Sequence, residues 1–230
     1  MIVTARNEAD RLGATLRALR ATFPGAELWV ADDGSEDTTA HVAEAEGARV
    51  VRSGERLGKG GAATLAAEAV LREGDPTVLL ADADLGESAA KLVLLVDAVS
   101  NPAATGDAPA LDADAPDLAI ATFAHRVGGG FGIAVRASRS AIQRSTGRRM
   151  EAPMSGQRAM RPGVLSQLLP FAGGFGIETG MTIDALRKNL RVVEIPLELE
   201  HRATGKSLSG FIHRGRQARE ALRAYASRRA

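Results

Sequence analysis

Two carboxylates one residue apart, Asp82 and Asp84, close a short apolar run over residues 78–81 and are followed by Gly86. An apolar run of this length bounded by turn residues predicts a buried strand. On an extended backbone both side chains point the same way, so their hard oxygen ligands can bind one divalent cation. Such a cation would most naturally bridge the phosphates of a ligand. Alternatively, the two residues only end the strand and cap the next helix.

Polar segments also follow three earlier predicted strands. The strands are residues 1–5, 27–31 and 48–51, and the polar segments after them are 6–8, 32–35 and 56–61. Because helical patterns alternate with the strands, the sequence predicts a parallel sheet with right-handed crossovers. Ligands of such sheets bind beyond the carboxyl ends of the strands, so we expect these polar segments to form one composite site with Asp82 and Asp84.

The glycine-rich turn around Lys59 has the composition of a phosphate-binding loop, since glycines let backbone amides approach an anion near the start of a helix. It lacks the full Gly-x-x-x-x-Gly-Lys-Ser/Thr pattern, however, and no Gly-x-Gly-x-x-Gly opens the first helix. A P-loop ATPase and a dinucleotide-dependent dehydrogenase are therefore disfavoured. The alternative for Lys59 is a solvated loop lysine.

The order of these segments resembles the family 2 glycosyltransferases of the GT-A fold. Residues 4–8 are similar to the family's Pro-Ala-x-Asn-Glu, with Thr4 in place of the proline. Residues 32–38 resemble its Asp-Asp-Gly-Ser-x-Asp-x-Thr, residues 58–60 its Gly-Lys-Gly, and residues 81–85 its metal-binding Asp-x-Asp. The resemblance is close over the first ninety residues, roughly, and looser beyond them. It implies an α/β GT-A fold, a Rossmann-like and mostly parallel sheet flanked by helices.

The resemblance also implies a nucleotide-diphospho-sugar donor and a divalent metal. The residues implied in donor binding are Thr4, Ala5, Glu8, Asp32, Asp33, Lys59 and Asp82. Among them, Asp32 or Asp33 would accept a hydrogen bond from the base or ribose, and Lys59 would lie near the base or phosphates. Asp84, with Asp82, would hold Mg²⁺ or Mn²⁺ on the diphosphate. The leaving diphosphate gains negative charge as the sugar bond breaks, and a metal placed there stabilises it.

The acceptor side is implied by two later segments. Arg126 follows a predicted strand at residues 117–123, where relatives that use polyprenyl phosphate bind acceptor or phosphate, and a guanidinium suits such an oxyanion. Residues 153–161 resemble the family's Ser-Gly-x-Arg-Ala-x-Arg segment. Glu178 occupies the position where relatives keep an acid near the acceptor, and it could be a general base for a hydroxyl acceptor. The alternatives are a solvated Arg126 in a surface turn and a capping or lysine-pairing Glu178.

A last predicted strand, residues 198–202, leads into a polar loop. His201 is a further candidate metal ligand beside Asp84, as histidines after a late strand are in many GT-A enzymes, or else a surface histidine. Arg202, Lys206 and Ser207 resemble the Arg-x-x-Gly-x-Ser-Lys loop of dolichyl-phosphate mannose synthases, with the last two residues exchanged. The resemblance implies that they bind the acceptor or its phosphate.

The segment 210–230 carries six arginines and one acid. It predicts a basic amphipathic helix that either rests on anionic lipid or packs against the domain. Nucleic acid is a poor partner, because the net charge is only +1 and aromatic residues make up 3% of the chain. The chain has no cysteine and no apolar run that could span a bilayer, so we expect a cytoplasmic protein, in contact at most with the inner face of the membrane.

The sequence therefore predicts an inverting, metal-dependent glycosyltransferase formed by one domain. Its parts are a nucleotide-sugar-binding half at 1–100, a flexible insertion at 101–116, an acceptor-side half at 117–209 and the basic helix at 210–230. The expected acceptor is a polyprenyl phosphate, and the alternative is a small soluble acceptor such as a phosphoglycerate. Alternatives of another class are a sugar-1-phosphate nucleotidyltransferase, whose glycine-rich loop with Arg and Lys is absent from residues 4–8, and a non-catalytic nucleotide-sugar-binding protein.

Overall fold

The computed structural model describes residues 1–100, 115–123, 132–199 and 225–227. Arg126, His201, Arg202, Lys206 and Ser207 lie outside these ranges, as do most of the predicted insertion and of the predicted basic helix. The strands are β1 Ile2–Ala5, β2 Trp29–Asp32, β3 Arg49–Arg52, β4 Val78–Asp82, β5 Leu118–Phe123, β6 Arg158–Met160 and β7 Val192–Leu197. The α-helices are α1 Leu12–Thr22, α2 Thr39–Ala45, α3 Lys59–Glu73, α4 Val93–Ser100, α5 Gly132–Thr146, α6 Val164–Leu168 and α7 Ile177–Arg187. Among the described residues, 3₁₀ helices cover Gly86–Leu92 and Gly174–Gly176.

The strands of the described ranges form one sheet in the order β3-β2-β1-β4-β6-β5-β7. Strands β3, β2, β1 and β4 are adjacent in this order and run parallel to one another. Strands β5 and β7 are also parallel to each other. Only β6 is antiparallel to both of its neighbours, β4 and β5. The prediction of a mostly parallel α/β sheet is confirmed. Because β6 runs the other way, the residues that precede it lie beside the carboxyl end of β4.

Alternation along the strands places a separate hydrophobic core on each face of the sheet. Ile2 faces the core shared with α3, α6 and α7, while Val3 faces the core shared with α1 and α4. Helix α1 contributes Leu12, Leu16 and Leu19, all fully buried, which confirms the apolar face expected from their spacing. The sheet is therefore covered on both sides, and its open region is at the strand ends.

Several element boundaries differ from the sequence expectation. Helix α3 begins at Lys59 rather than at about residue 62, so Lys59 lies in the first helical turn and not in a free loop. Helix α7 begins at Ile177 rather than at about residue 181, which places Glu178 in its first turn. The late strand expected at 198–202 is not present at residues 198–199, where the chain has already left β7. Tyr225 packs against the core on the α3 face, in agreement with the packed alternative for this part of the basic segment.

None of the helices within the described ranges combines the length and hydropathy that a membrane span requires.

The amino end of α3 packs closely against the loop that precedes the Gly174–Gly176 helix. A Cβ atom added to Gly60 would lie 1.8 Å from the carbonyl oxygen of Ala172 and 3.3 Å from the Cα of Gly173. Gly58, with a φ of +77°, lies in the left-handed region, and a Cβ there would lie 3.2 Å from the Cα of Gly174. Position 60 therefore requires glycine, because the backbones at Gly60 and Ala172 lie too close for a Cβ atom. The same contact joins the first half of the chain to the segment that carries Glu178.

We expect Gly60→Ala to lower the free energy of unfolding by about 2 kcal/mol in urea denaturation, which is the upper overpacking cost less the gain in helix propensity. Alanine gains about 1 kcal/mol in helix propensity, but overpacking against a backbone carbonyl costs about 1–3 kcal/mol or more. The matched control is Gly173→Ala, because a Cβ at Gly173 meets no atom within 4 Å. Equal stability of the two variants would contradict the close contact.

Candidate active site

The polar segments after β1 and β2 bind each other. The backbone N–H of Asn7 donates to Ser35 Oγ at 3.0 Å, and the N–H of Glu36 donates to Asn7 Oδ1 at 2.8 Å. The N–H of Glu8 donates to Thr39 Oγ1 at 2.9 Å. Asn7 has a φ of +53°, a left-handed conformation that asparagine tolerates better than most residues. The two segments therefore form one interlocked rim at the carboxyl end of the sheet.

Asp32 and Asp33 accept hydrogen bonds from backbone N–H groups of the loops around this rim. Asp32 is fully buried, accepts a hydrogen bond from the N–H of Ser35 at 2.9 Å, and lies 3.4 Å from Arg52 Nε. Asp33 Oδ1 accepts from the backbone N–H groups of residues 57–58 at 2.9 and 2.7 Å. Asp32 thus fixes the loop after β2, and Asp33 Oδ1 fixes the backbone that precedes α3. A contact of either carboxylate with a base or ribose stays a prediction.

Lys59 lies at the centre of the site and joins two carboxylates. Its Nζ is 2.6 Å from Asp82 Oδ1 and 2.7 Å from Glu178 Oε1. Asp82 also accepts from Gln157 Nε2 at 2.8 Å and from Thr4 Oγ1 at 3.3 Å. Burial lowers the pKa of Lys59, but the Asp82 and Glu178 carboxylates outweigh it and hold that pKa above its usual range. Lys59 is thus a cation at neutral pH that pairs with Glu178, and a contact of Glu178 with an acceptor stays a prediction.

A second cation, Arg158, lies beneath this cluster and is almost completely buried. Its Nε donates to the carbonyl of Ser155 at 2.9 Å and its Nη1 to Thr182 Oγ1 at 3.0 Å. Burial lowers the pKa of Arg158 to about 10, against the opposing effect of the nearby Glu178 carboxylate. The guanidinium therefore remains charged at neutral pH. Two cations and two carboxylates share this part of the site, which limits the cost of burying each of them.

Glu178 has one oxygen bound to Lys59 and one that is buried. Its side chain is buried, Oε1 binds Lys59, and Oε2 has no hydrogen-bond partner within the described ranges. A buried carboxylate oxygen without a donor costs free energy, so such an atom is a natural acceptor for a ligand hydroxyl. A contact of Glu178 with an acceptor hydroxyl stays a prediction.

The structure bears differently on the three predicted metal ligands, Asp82, Asp84 and His201. Asp82, one of the predicted ligands, has both oxygens engaged by Lys59, Gln157 and Thr4. Asp84 is half-buried at the turn after β4 and also takes part in an interaction within the protein; its carboxylate oxygens are hard donors of the kind that suit Mg²⁺ or Mn²⁺. Over the described ranges no three His, Asp or Glu side chains group as a metal site. Asp84 therefore fits a cation at the mouth, and His201, the third predicted ligand, lies outside those ranges.

An open cleft of about 640 Å³ adjoins the rim on the side of β3. Arg6, Arg52 and Arg56 line it together with Ser35 and Ser53. Glu36 and Glu55 line it as well, so three guanidinium groups and two carboxylates leave the cleft a formal charge of only +1. The site thus has a weakly positive cleft on one side and the Lys59 cluster on the other.

The structure brings together some of the predicted residues and adds others. Thr4, Lys59, Asp82 and Glu178 meet directly, whereas Ala5 is buried in β1. The residues missed from the sequence are Arg6, Arg52, Gln157 and Arg158. Gln157 and Arg158 could have been proposed as site residues from the sequence, because they lie in the segment that resembles Ser-Gly-x-Arg-Ala-x-Arg.

Comparisons with known proteins agree with this geometry. The model of the family described as glycosyl transferase family 2 matches residues 1–168. A search of curated proteins gives no match.

Solved structures of glucosyl-3-phosphoglycerate synthase from Mycobacterium tuberculosis are similar to the chain. The complex with phosphoglyceric acid has 27% identity and a TM-score of 0.75, covering 99% of this chain and 78% of that one. The complex with Mn²⁺, UDP-glucose and phosphoglyceric acid has 26% identity and a TM-score of 0.74, with the same coverage. The complex with Mg²⁺ and UDP has 26% identity and a TM-score of 0.76, covering 99% of this chain and 77% of that one.

We expect Lys59→Met to lower the free energy of unfolding by about 3–5 kcal/mol, because it leaves the buried Glu178 and the partly buried Asp82 without their shared cation. Chemical denaturation measures this loss. Adding Glu178→Gln should recover part of it, since one of the two charges is then removed. The control is Lys91→Met, whose ammonium forms an exposed pair with Glu198 at 3.3 Å and should cost less than about 1 kcal/mol. Similar losses for Lys59→Met and Lys91→Met would show that the cluster does not stabilise the fold.

Proposed function

The chain belongs to glycosyl transferase family 2 and is a glycosyltransferase; from this premise we propose that it transfers glucose from UDP-glucose to a phosphoglycerate. The observation that carries the proposal is the cluster of Lys59, Asp82 and Glu178 beside Asp84, at the strand ends where ligands of such sheets bind. The similar synthase structures with UDP-glucose, phosphoglyceric acid and Mn²⁺ support this choice of donor, acceptor and metal.

The acceptor differs from the one expected first. A polyprenyl phosphate was the main expectation, and the comparisons support its alternative, a phosphoglycerate, better. Arg126, Arg202, Lys206 and Ser207 keep their proposed role at the acceptor, with a soluble phosphate in place of a lipid phosphate. A guanidinium and an ammonium bind either oxyanion, so the residues themselves do not choose between them.

Asp84 is the proposed ligand of Mg²⁺ or Mn²⁺, and His201 is its proposed partner. The metal supplies positive charge where the diphosphate gains negative charge as it leaves. We assign Asp82 to positioning rather than to the metal, because Lys59, Gln157 and Thr4 engage its oxygens. Thr4, Ala5 and Glu8, with Asp32 or Asp33, are the proposed lining of the nucleoside pocket, and the cleft lined by Arg6, Arg52 and Arg56 adds positive charge beside it.

Glu178 is the proposed contact to a reacting hydroxyl. Phosphoglycerate offers a hydroxyl group, whose attack on the sugar requires removal of a proton. The Oε2 atom of Glu178 can accept the hydrogen of such a group, while Lys59 holds Oε1 and fixes the carboxylate. Inversion at the sugar carbon stays a prediction from the family resemblance, and the anomeric configuration of the product tests it.

Turnover with UDP-glucose, 3-phosphoglycerate and Mn²⁺, followed as UDP release, tests the proposal. We expect Asp84→Ala to lower kcat by about 10²-fold or more, because the leaving diphosphate loses its counter-charge. The matched control is Asp75→Ala, an exposed acid before the amino end of β4, which should keep wild-type turnover. Parallel assays replace the acceptor by a polyprenyl phosphate, and UDP-glucose by GDP-mannose.

Transfer to the polyprenyl phosphate alone would overturn the acceptor. Transfer from GDP-mannose alone would overturn the donor. Equal turnover of Asp84→Ala and Asp75→Ala would overturn the metal role of Asp84.

A further inference from the structure

The turn that carries Asp84 is held by a side chain from another element. Thr15 lies on α1 and is fully buried. Its Oγ1 donates to the carbonyl oxygen of Ala83 at 2.7 Å and accepts from the N–H of Gly86 at 2.9 Å. One hydroxyl therefore binds the backbone on both sides of Asp84, and it uses its donor and an acceptor lone pair to do so.

The surroundings leave this turn few other ways to be held in place. Ala83 and Leu85 are buried on either side of Asp84, so their backbone has little access to water. Gly86 has a φ of +54°, a left-handed conformation that glycine adopts without steric cost and that other residues rarely adopt. A buried carbonyl or N–H that loses its partner costs free energy, and the turn would shift to find a new one. Any such shift moves the carboxylate of Asp84.

Helix α1 also begins four residues after the rim segment at 4–8, and the N–H groups of Arg11 and Leu12 bind the carbonyl of Glu8. The same rigid helix thus starts at the proposed nucleoside pocket and reaches the proposed metal ligand through Thr15. Leu12 and Leu16, next to Thr15 on this helix, are fully buried in the core that contains Leu85. The spacing between pocket and ligand is therefore fixed by packed structure and not by a free loop.

We propose that Thr15 is a positioning residue that fixes Asp84 for a divalent cation on the nucleotide diphosphate. The inference rests on the proposed function, because it requires Asp84 to bind that cation. Groups that orient a metal ligand without touching the metal typically change metal affinity by 10- to 100-fold when they are removed. Thr15 is such a group, acting through the backbone of Ala83 and Gly86.

The test is calorimetric titration of the full chain with UDP, with and without Mn²⁺, which needs no turnover. The variants are Thr15→Val, which removes the hydroxyl at nearly constant volume, and Thr15→Ser, which keeps it. The matched control is Thr22→Val on the same helix, where Oγ1 donates to the carbonyl of Ala18 at 2.8 Å away from the site. Thermal unfolding of each variant is measured in parallel.

For Thr15→Val we expect the gain in UDP affinity on adding Mn²⁺ to fall by about tenfold, with UDP binding in the absence of metal unchanged. For Thr15→Ser this gain in UDP affinity should lie within about twofold of the wild-type gain, and for Thr22→Val it should equal the wild-type gain. A purely structural Thr15 would lower the unfolding temperature without changing the effect of Mn²⁺. That outcome would overturn the inference.

Asp84→Ala separates this inference from the proposed function. If Asp84→Ala loses the Mn²⁺ effect and a folded Thr15→Val keeps it, only the positioning role of Thr15 fails. If the wild type shows no Mn²⁺ effect, the metal role of Asp84 fails and the inference fails with it. Should Thr15→Val not fold, Thr15→Cys replaces it, because a thiol is a weak hydrogen-bond former and predicts a loss between those of Ser and Val.

Discussion

One ammonium group, that of Lys59, lies between a carboxylate on β4 and a carboxylate on α7, and the rest of the site depends on this contact. Lys59 and Glu178 are 119 residues apart in sequence, so the contact joins the two halves of the sheet. The contact is possible because the neighbouring positions 60 and 156 are glycines, which have no side chain. A Cβ at Gly156 would lie 2.7 Å from both Asp82 Oδ2 and Lys59 Nζ, and one at Gly60 would overlap the carbonyl of Ala172. Two glycines thus admit a charge cluster that larger residues would push apart.

Many polar side chains around this cluster form hydrogen bonds within the protein itself. Ser35, Thr39 and Asn7 tie the segments after β1 and β2 to each other, and Asp33 ties β2 to the start of α3. Rigid loops keep the donor groups of a site in place without a substrate, which reduces the reorganisation needed during the reaction. The order of polar residues in these segments therefore has a structural reason as well as a chemical one.

The alternation of strand and helix patterns was sufficient to predict the parallel sheet and the edge at which Thr4, Lys59 and Asp82 meet. It could not predict that β6 is inserted antiparallel between β4 and β5, because that pairing joins residues distant in sequence and leaves no local period. For the same reason the sequence did not reveal Gln157, which reaches Asp82 only through this insertion. Glu178 was left with two interpretations, since a carboxylate has the same sequence pattern whether it binds a lysine or a substrate.

The insertion of β6 also affects how the chain assembles during its synthesis. Strand β4 pairs with β1 soon after it is made, but its other edge pairs with β6, and 75 residues separate Asp82 from Gln157. At the usual rates of translation this interval lasts about 4 to 15 seconds. During that time the apolar strand Val78–Asp82 has an unpaired edge of the kind that pairs with other chains. The strand at the centre of the finished sheet therefore needs protection from aggregation while the chain is being made.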